Sequence, residues 1–306
     1  MKQQTRAYLY AGTAVLMWST VGSAFKLTLR HLGPLQMLLG ASAISILVLG
    51  IILILQGKIR TLLRSGPRDL LRSALLGLMN PLLFYIVLFS AYDLLLTQEA
   101  MVLNFTWPVT LTILSFLLLR QRIGWKSFLA ILVSFAGIVI IGTNGQVWTL
   151  KFTNPTGVAL ALASTVLWSL FWIFNIKDKR DEVIKLFLNF LSGFLFILLL
   201  FAILHIGRIS LPEPIHLIKE DGSDFPVSLP TILGCIYIGV FEMGIAYVFW
   251  LKGLQLSITT AKVSNLIFFA PFLSLVFIHL TVGEPLKPAT LVGLAFIVGG
   301  LLLQRK

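Results

Sequence analysis

An all-α integral membrane protein, with ten transmembrane helices arranged as two inverted five-helix repeats, is the architecture this sequence predicts. Three observations predict it. The 306 residues are 58% hydrophobic and only 12% charged, about half the charged fraction of a soluble domain. The apolar residues gather into ten stretches, most of them near the roughly 20 residues with which a helix crosses a hydrocarbon core about 30 Å thick. The second half of the chain also echoes the first.

Taken in order, the spans are residues 8–29, 34–56, 70–92, 99–119, 125–141, 155–176, 184–206, 229–251, 260–281 and 288–303. The first follows Lys2 and Arg6, exceeds a signal-peptide core in length and has no small-residue cleavage site, so it is expected to stay as a membrane helix. Asp93, Gln98 and Glu99 mark the turn between the third and fourth spans. Continuous apolarity of this kind predicts helices, because barrel strands would be short and alternating.

Lys and Arg set the expected orientation. With the N-terminus inside, 18 of the 24 fall on or at the inner boundary and 6 outside, which favours a multi-pass protein of the cell (plasma or inner) membrane with both termini cytoplasmic. The longest connection, 207–228, carries Glu213, Glu220, Asp221 and Asp224, and is expected to be an external solvated loop rather than a lid. The net charge of +12 does not describe a nucleic-acid binder, since the basic residues lie in short runs between apolar spans. A lone cysteine, Cys235, excludes an intrachain disulfide.

A shift of 150 places Trp18-Ser19 on Trp168-Ser169 and Gly57 on Gly207. Past that loop a shift of 163 places Pro108 on Pro271, Gln121 on Glu284, Ala130 on Gly293 and Gly137 on Gly300. The expected halves are residues 1–146 and 147–306. Five spans per half is an odd number, so the second half enters the membrane inverted, and solute is expected near the midplane between the repeats.

The ten-span layout, Trp18 with Lys26, mid-span Pro108 and Pro271, Glu284 after Pro271, and glycine-rich closing spans ending at Gly142 and Gly299-Gly300 together resemble the drug/metabolite transporter superfamily, and within it the ten-helix EamA-type permeases. The resemblance covers essentially the whole chain. It implies secondary transport of small metabolites, often export of amino acids or related compounds. Two departures stand out: Gln121 where the second half has Glu284, and an acid, Glu242, in a helix that is usually apolar in the family.

Depth along the spans places Trp18, Asn80, Trp107, Trp168 and Glu242 near the midplane, where one central cavity can collect them as substrate-binding candidates. Packing is the alternative for each tryptophan, and Trp172 reads as packing. Asn80-Pro81 is either a mended kink or a substrate contact. Lys262 snorkels from the inner boundary or meets a substrate carboxylate, and Asn265, one turn deeper, joins the substrate-binding candidates. Pro108 and Pro271 each remove a backbone hydrogen bond and bend their helices, as gating hinges or as fixed bends. Lys26, His205, His279 and Glu284 mark span ends. Ala130 with Ser134, and Ala295 with Gly299, put small residues four apart on the fifth and tenth spans, read as scaffold or homodimer contact rather than substrate wall.

Glu242 is the sharpest candidate. It is the fourteenth residue of a 23-residue span, with no Lys or Arg at comparable depth. An ionised carboxylate there is costly. Either it lines the cavity, where it binds a cationic or amino-bearing group or carries a coupling proton, or it is a neutral carboxyl hydrogen-bonded to a neighbouring helix, with Asn80 as the candidate partner. No metal-ligand spacing, nucleophile elbow or phosphate-binding glycine loop is present, so neither cofactor nor metal is expected and the chain is not read as an enzyme. The leading expectation is a secondary transporter of a small organic solute, in contact with membrane lipid, working outward by alternating access. An importer of the same fold and a lipid-modifying membrane enzyme are the alternatives.

Overall fold

The computed structural model describes residues 3–119, 125–148, 152, 154–207, 209, 212, 214–219, 228–257 and 265–303. Among these residues all regular structure is helical. Helices α1 (Gln3–Leu29) and α2 (Pro34–Leu55) are followed by the short α3 (Ile59–Leu63). The third span is built from α4 (Pro67–Gly77), a π-helical stretch Leu78–Leu83 and α5 (Phe84–Leu94), and the fourth from α6 (Thr97–Asn104) and α7 (Trp107–Leu119). Next come α8 (Trp125–Gly142), α9 (Pro155–Ile176) and α10 (Glu182–Ile206). The eighth span divides into α11 (Leu229–Tyr237), a π-helical stretch Ile238–Glu242 and α12 (Ile245–Leu256). A 3-10 turn, Asn265–Phe269, leads into α13 (Ala270–Val282), and α14 (Pro288–Leu303) closes the described chain. Five stretches are long and apolar enough to cross a membrane: Pro34–Leu55, Pro67–Leu94, Pro155–Asn175, Glu182–Ile206 and Leu229–Gly253.

Local chemistry starts these helices where the sequence allows. Proline occupies the first turn of α2, α4 and α9, where a missing N–H costs nothing. The Asn154 side chain accepts from Gly157 N at 2.9 Å, and Asp181 Oδ1 accepts from Val183 N and Ile184 N at 3.1 and 3.3 Å, so α9 and α10 begin on side-chain caps.

Four of the expected spans are interrupted, which the apolar run alone conceals. In the third, the Asn80–Pro81 peptide is cis and Asn80 leaves the helical region (φ −148°, ψ 115°). In the eighth, the break falls at Met243-Gly244, directly after Glu242, with Gly244 at φ −112°, ψ −92°. The fourth breaks at Phe105-Thr106 and the ninth changes from a 3-10 turn to α-helix at Ala270, so Pro108 and Pro271 sit in the first turn of α7 and α13 rather than in mid-helix. Freed backbone groups find partners. Thr106 N and Oγ1 both donate to Leu103 O, and Ser45 Oγ of α2 donates to Met243 O at 2.8 Å.

Helix pairing follows a regular pattern. α1 packs on α12 and α13, while α9 packs on α5 and α7. α10 packs on α4, and α11 on α2. α2 packs on α10, and α8 on α14. The α8–α14 crossing is close because glycines meet there. A Cβ on Gly137 would stand 2.6 Å from Gly293 O, and one on Gly293 would stand 2.4 Å from Ile141 Cγ1. Ser134, buried on α8, donates to Ile297 O at 3.4 Å, while Gly299 faces open space and Ala295 is exposed.

The bundle has two polar faces. One carries Gln4 with Ser257, and the turns after α3 and α9. There Arg180 bonds Asp178 at 2.6 Å, Asp69 O at 2.9 Å and Ser73 at 3.0 Å, and Lys58 bonds Asp181 at 2.6 Å. Burial alone would raise the Asp178 carboxyl, but hydrogen bonds from Arg180 and the charges of Arg180 and Arg72 outweigh it and hold the group below its usual value. The opposite face joins the turns after α1 and α5 through Lys219, which bonds Leu29 O and, at 3.1 Å, Asp93. Lys26 donates to Tyr92 O and Leu95 O at 2.7 and 2.9 Å.

Glu284, expected merely to mark a span end, caps a helix on that same face. Its Oε1 accepts from Thr97 N at 2.9 Å and Thr97 Oγ1 at 2.7 Å, and its Oε2 from Gln98 N at 3.3 Å. Lys287 bonds Glu99 at 3.0 Å beside it. A carboxylate on orphan N–H groups at a helix start is favourable for both the hydrogen bonds and the helix dipole. Glu284→Ala is expected to cost about 1–2 kcal/mol and to speed hydrogen exchange at amides 97 and 98. Glu284→Gln should retain part of both, and unchanged protection in the alanine variant would refute the capping role.

Candidate functional site

The interruptions in the spans open onto a cavity of about 520 Å³ inside the bundle. Its size suits one small organic molecule. Of the candidate residues, Trp18, Trp107, Trp168 and Glu242 line it. Asn80 is wholly buried outside the lining and bonds Tyr247, whose ring contacts the lining residues Trp18 and Trp168. The side chain of Asn265, and Lys262, Gln121 and Gly222 altogether, lie outside what is described. Pro108 and Pro271 stand together at a separate narrow void beside α14.

Glu242 is 7% exposed. Its Oε1 accepts from Tyr85 Oη at 3.0 Å, while its Oε2 has no hydrogen-bond partner among the described residues. Tyr85 Oη also meets Tyr247 Oη at 3.4 Å, and Asn80 Nδ2 donates to Tyr247 Oη at 3.3 Å. The structural alternative for Glu242 named Asn80 as its partner. Instead two tyrosines intervene, because the break at Asn80 and the break at Glu242 each present the next turn of their own helix to the other.

Those tyrosines are what residue-by-residue reading overlooked. Tyr85 and Tyr247 each follow the polar residue of their own break by five positions. Around them the wall is aromatic. Tyr247 takes edge contacts from Trp18 at 6.1 Å and Trp168 at 5.8 Å between centroids. Phe84 lies on Trp168 at 4.7 Å, and Trp250 beside Trp18 at 5.4 Å. Trp172, read as packing, both packs on Trp168 and lines the cavity.

Toward the face that carries Gln4, the cavity wall continues to Asn175, Glu182 and Lys185. There it adjoins a polar cleft of about 250 Å³, with Glu182 and Leu251 common to both. Lys185 is 2% exposed, lies 2.6 Å from Glu182 Oε2 and donates to Asp178 O at 3.1 Å. Among the described residues no group of three His, Cys, Asp or Glu side chains is placed to hold a metal ion.

An apolar helical bundle with broken spans around an aromatic, acid-bearing cavity is the construction of a membrane transporter. The chain belongs to the EamA-like transporter family, whose model matches residues 5–143 and again 155–304. Curated relatives agree. An "Uncharacterized transporter" of Archaeoglobus fulgidus is 23% identical over 97% of both chains. The "Uncharacterized transporter YvbV" of Bacillus subtilis is 26% identical over 99% of this chain and 93% of its own. "Protein PecM" of Dickeya dadantii is 28% identical over 96% of this chain and 90% of its own. A solved crystal structure superposes with a TM-score of 0.64 at 21% identity, covering 98% of this chain and 96% of the other, a likeness of fold. The chain is therefore a membrane transporter and not an enzyme.

Proposed function

We propose that the protein is a secondary transporter that moves a small, partly apolar organic solute outward across the cell membrane by alternating access, with Glu242 as the group that binds an amino or cationic centre or carries a coupling proton. The observation that carries this reading is the cavity itself: an apolar, aromatic chamber in which Glu182 is paired with Lys185 while Glu242 Oε2 has no partner among the described residues. Trp18, Trp107 and Trp168 act as its substrate-facing walls, Asn80 as support behind Tyr247, and Pro108 and Pro271 as hinges beside the broken segments.

The two halves, 1–146 and 147–306, are on this reading inverted repeats. Exchanging the halves turns the α1–α12 contact into the α9–α5 contact, and likewise α1–α13 into α9–α7 and α2–α11 into α10–α4. It leaves the α2–α10 and α8–α14 pairs unchanged. A pseudo-two-fold axis in the membrane plane produces such a pattern.

Purified protein in liposomes, screened with radiolabelled amino acids, nucleosides, sugars and organic amines, tests the function. Accumulation or counterflow of one class supports it, and silence across all classes overturns it. Orientation is tested separately in intact cells, with single cysteines on a Cys235→Ala background and an impermeant thiol reagent. Position 222 should label and position 64 should not. The reverse result inverts the topology and with it the direction assigned to each face.

A further inference from the structure

We propose that the cavity selects a lipophilic organic monocation, a quaternary ammonium or protonated amine, with its charge on Glu242 and its apolar body against the ring wall of Trp18, Trp168, Phe84 and Trp250. This rests on the transporter reading above and names its substrate class.

The argument is one of charge and surface. Three ionisable acids and amines line the cavity among the described residues: Glu182, Lys185 and Glu242. The first two lie 2.6 Å apart and compensate each other at one end. Glu242 is left over, with Oε1 held by Tyr85 and Oε2 unpartnered. A site with one uncompensated acid is completed by one positive charge. A zwitterion would bring its own carboxylate into a wall with no free cation among the described residues, and an anion would meet like charge. A sugar would need many hydrogen-bond partners, yet the Asn104 amide is committed to Ser164 at 2.9 Å, which leaves Asn175 Nδ2, beside Lys185, as an open amide donor, too few for a polyol. Ring faces, by contrast, favour a cation of low hydration.

The same carboxylate cannot hold a proton and a cation together, so binding is expected to strengthen as pH rises until Glu242 is fully ionised. The titratable side chains near it are Tyr85 and Tyr92 of α5 and Tyr247 of α12. Helix α2, packed against the Glu242 turn, has none. On α1, Arg6 and Tyr8 lie near one end, Tyr10 contacts Phe249, and Lys26 near the other end is held by two carbonyls. On the same span Cys235 and Tyr237 lie seven and five residues earlier, with Tyr237 bonded to Thr20 at 2.6 Å, and Lys252 lies ten residues later, over the Tyr10 ring.

The test uses the full chain in detergent, with tryptophan fluorescence as the signal and four phenyl probes differing in charge: benzyltrimethylammonium, 2-phenylethanol, phenylalanine and 3-phenylpropionate. Benzyltrimethylammonium should bind at least tenfold more tightly than the other three and more tightly at higher pH. Glu242→Gln should remove most of that preference, whereas Glu242→Asp, which keeps the charge, should retain it. Phenylalanine binding as well as the cation, or a cation preference that survives Glu242→Gln in a protein with an unchanged unfolding midpoint, would overturn the proposal. If Glu242→Gln does not fold, a wild-type cation affinity independent of pH, or equal for Glu242→Asp and a folded Glu242→Ala, overturns it instead. Binding without movement across liposomes would sink the transport reading and leave the binding site intact. Transport of an uncharged solute with no cation binding would do the converse.

Discussion

Transport by the Glu242→Gln protein is expected to fall at least about tenfold and to lose its dependence on pH. Glutamine keeps the shape and the hydrogen bond from Tyr85 but removes the ionisable group, so the change isolates charge from packing. Removing one partner of a buried charged contact costs about 2–5 kcal/mol, and about 1.4 kcal/mol is a factor of ten, so even the low end is easily measured as flux. The sign is fixed by the chemistry. If the carboxylate binds a cation or carries a proton, wild-type flux changes through the pH range in which Glu242 titrates, and the glutamine variant has nothing to titrate there. Flux into liposomes, measured as a function of pH for both proteins, decides it. Equal rates and parallel profiles would remove Glu242 from both roles and make it structural glue between spans three and eight.

The second large effect is expected at the α8–α14 crossing. Gly293→Ala places a methyl group against Ile141 and close to Gly137 O, so two backbones must separate. Overpacking of that kind costs about 1–3 kcal/mol. Replacing a mid-helix glycine by alanine returns roughly 0.5–1 kcal/mol through backbone entropy, so the net remains destabilising. Gly299→Ala on the same helix meets nothing within 4 Å and should be neutral or slightly stabilising. Thermal unfolding of the two variants in one detergent gives the comparison, and equal midpoints would show that the crossing is looser than the structure implies.

Apolar runs and the low charged fraction made the membrane class and the helical content legible, because long uninterrupted apolarity has one structural outcome in lipid. Trp18, Trp107, Trp168 and Glu242 could be placed at one cavity by counting depth alone. Continuity was the illusion. Hydropathy does not change at Phe105, Met243 or Gly244, so the breaks there left no mark in composition, although Pro108 and Pro271 flagged two of the four. Glu284 looked like a boundary residue because its partners, Thr97 and Gln98, lie almost two hundred residues away and on another span. Tyr85 and Tyr247 were illegible for a similar reason: a tyrosine in an apolar helix carries no signal until the group it faces is known.

Ser45 gives α2 a grip on the backbone break of the eighth span. The helix has no titratable side chain and contributes nothing to the cavity lining. Yet its hydroxyl holds the Met243 carbonyl, one residue beyond Glu242, and Gly239 lies so close to α2 that a Cβ there would come within 2.5 Å of Ala41 O. A carbonyl stripped of that hydroxyl would be stranded in hydrocarbon, at a cost of a few kcal/mol. The eighth span is therefore free to flex at its break only if α2 travels with it, which makes a plain apolar helix the lever arm of the acid.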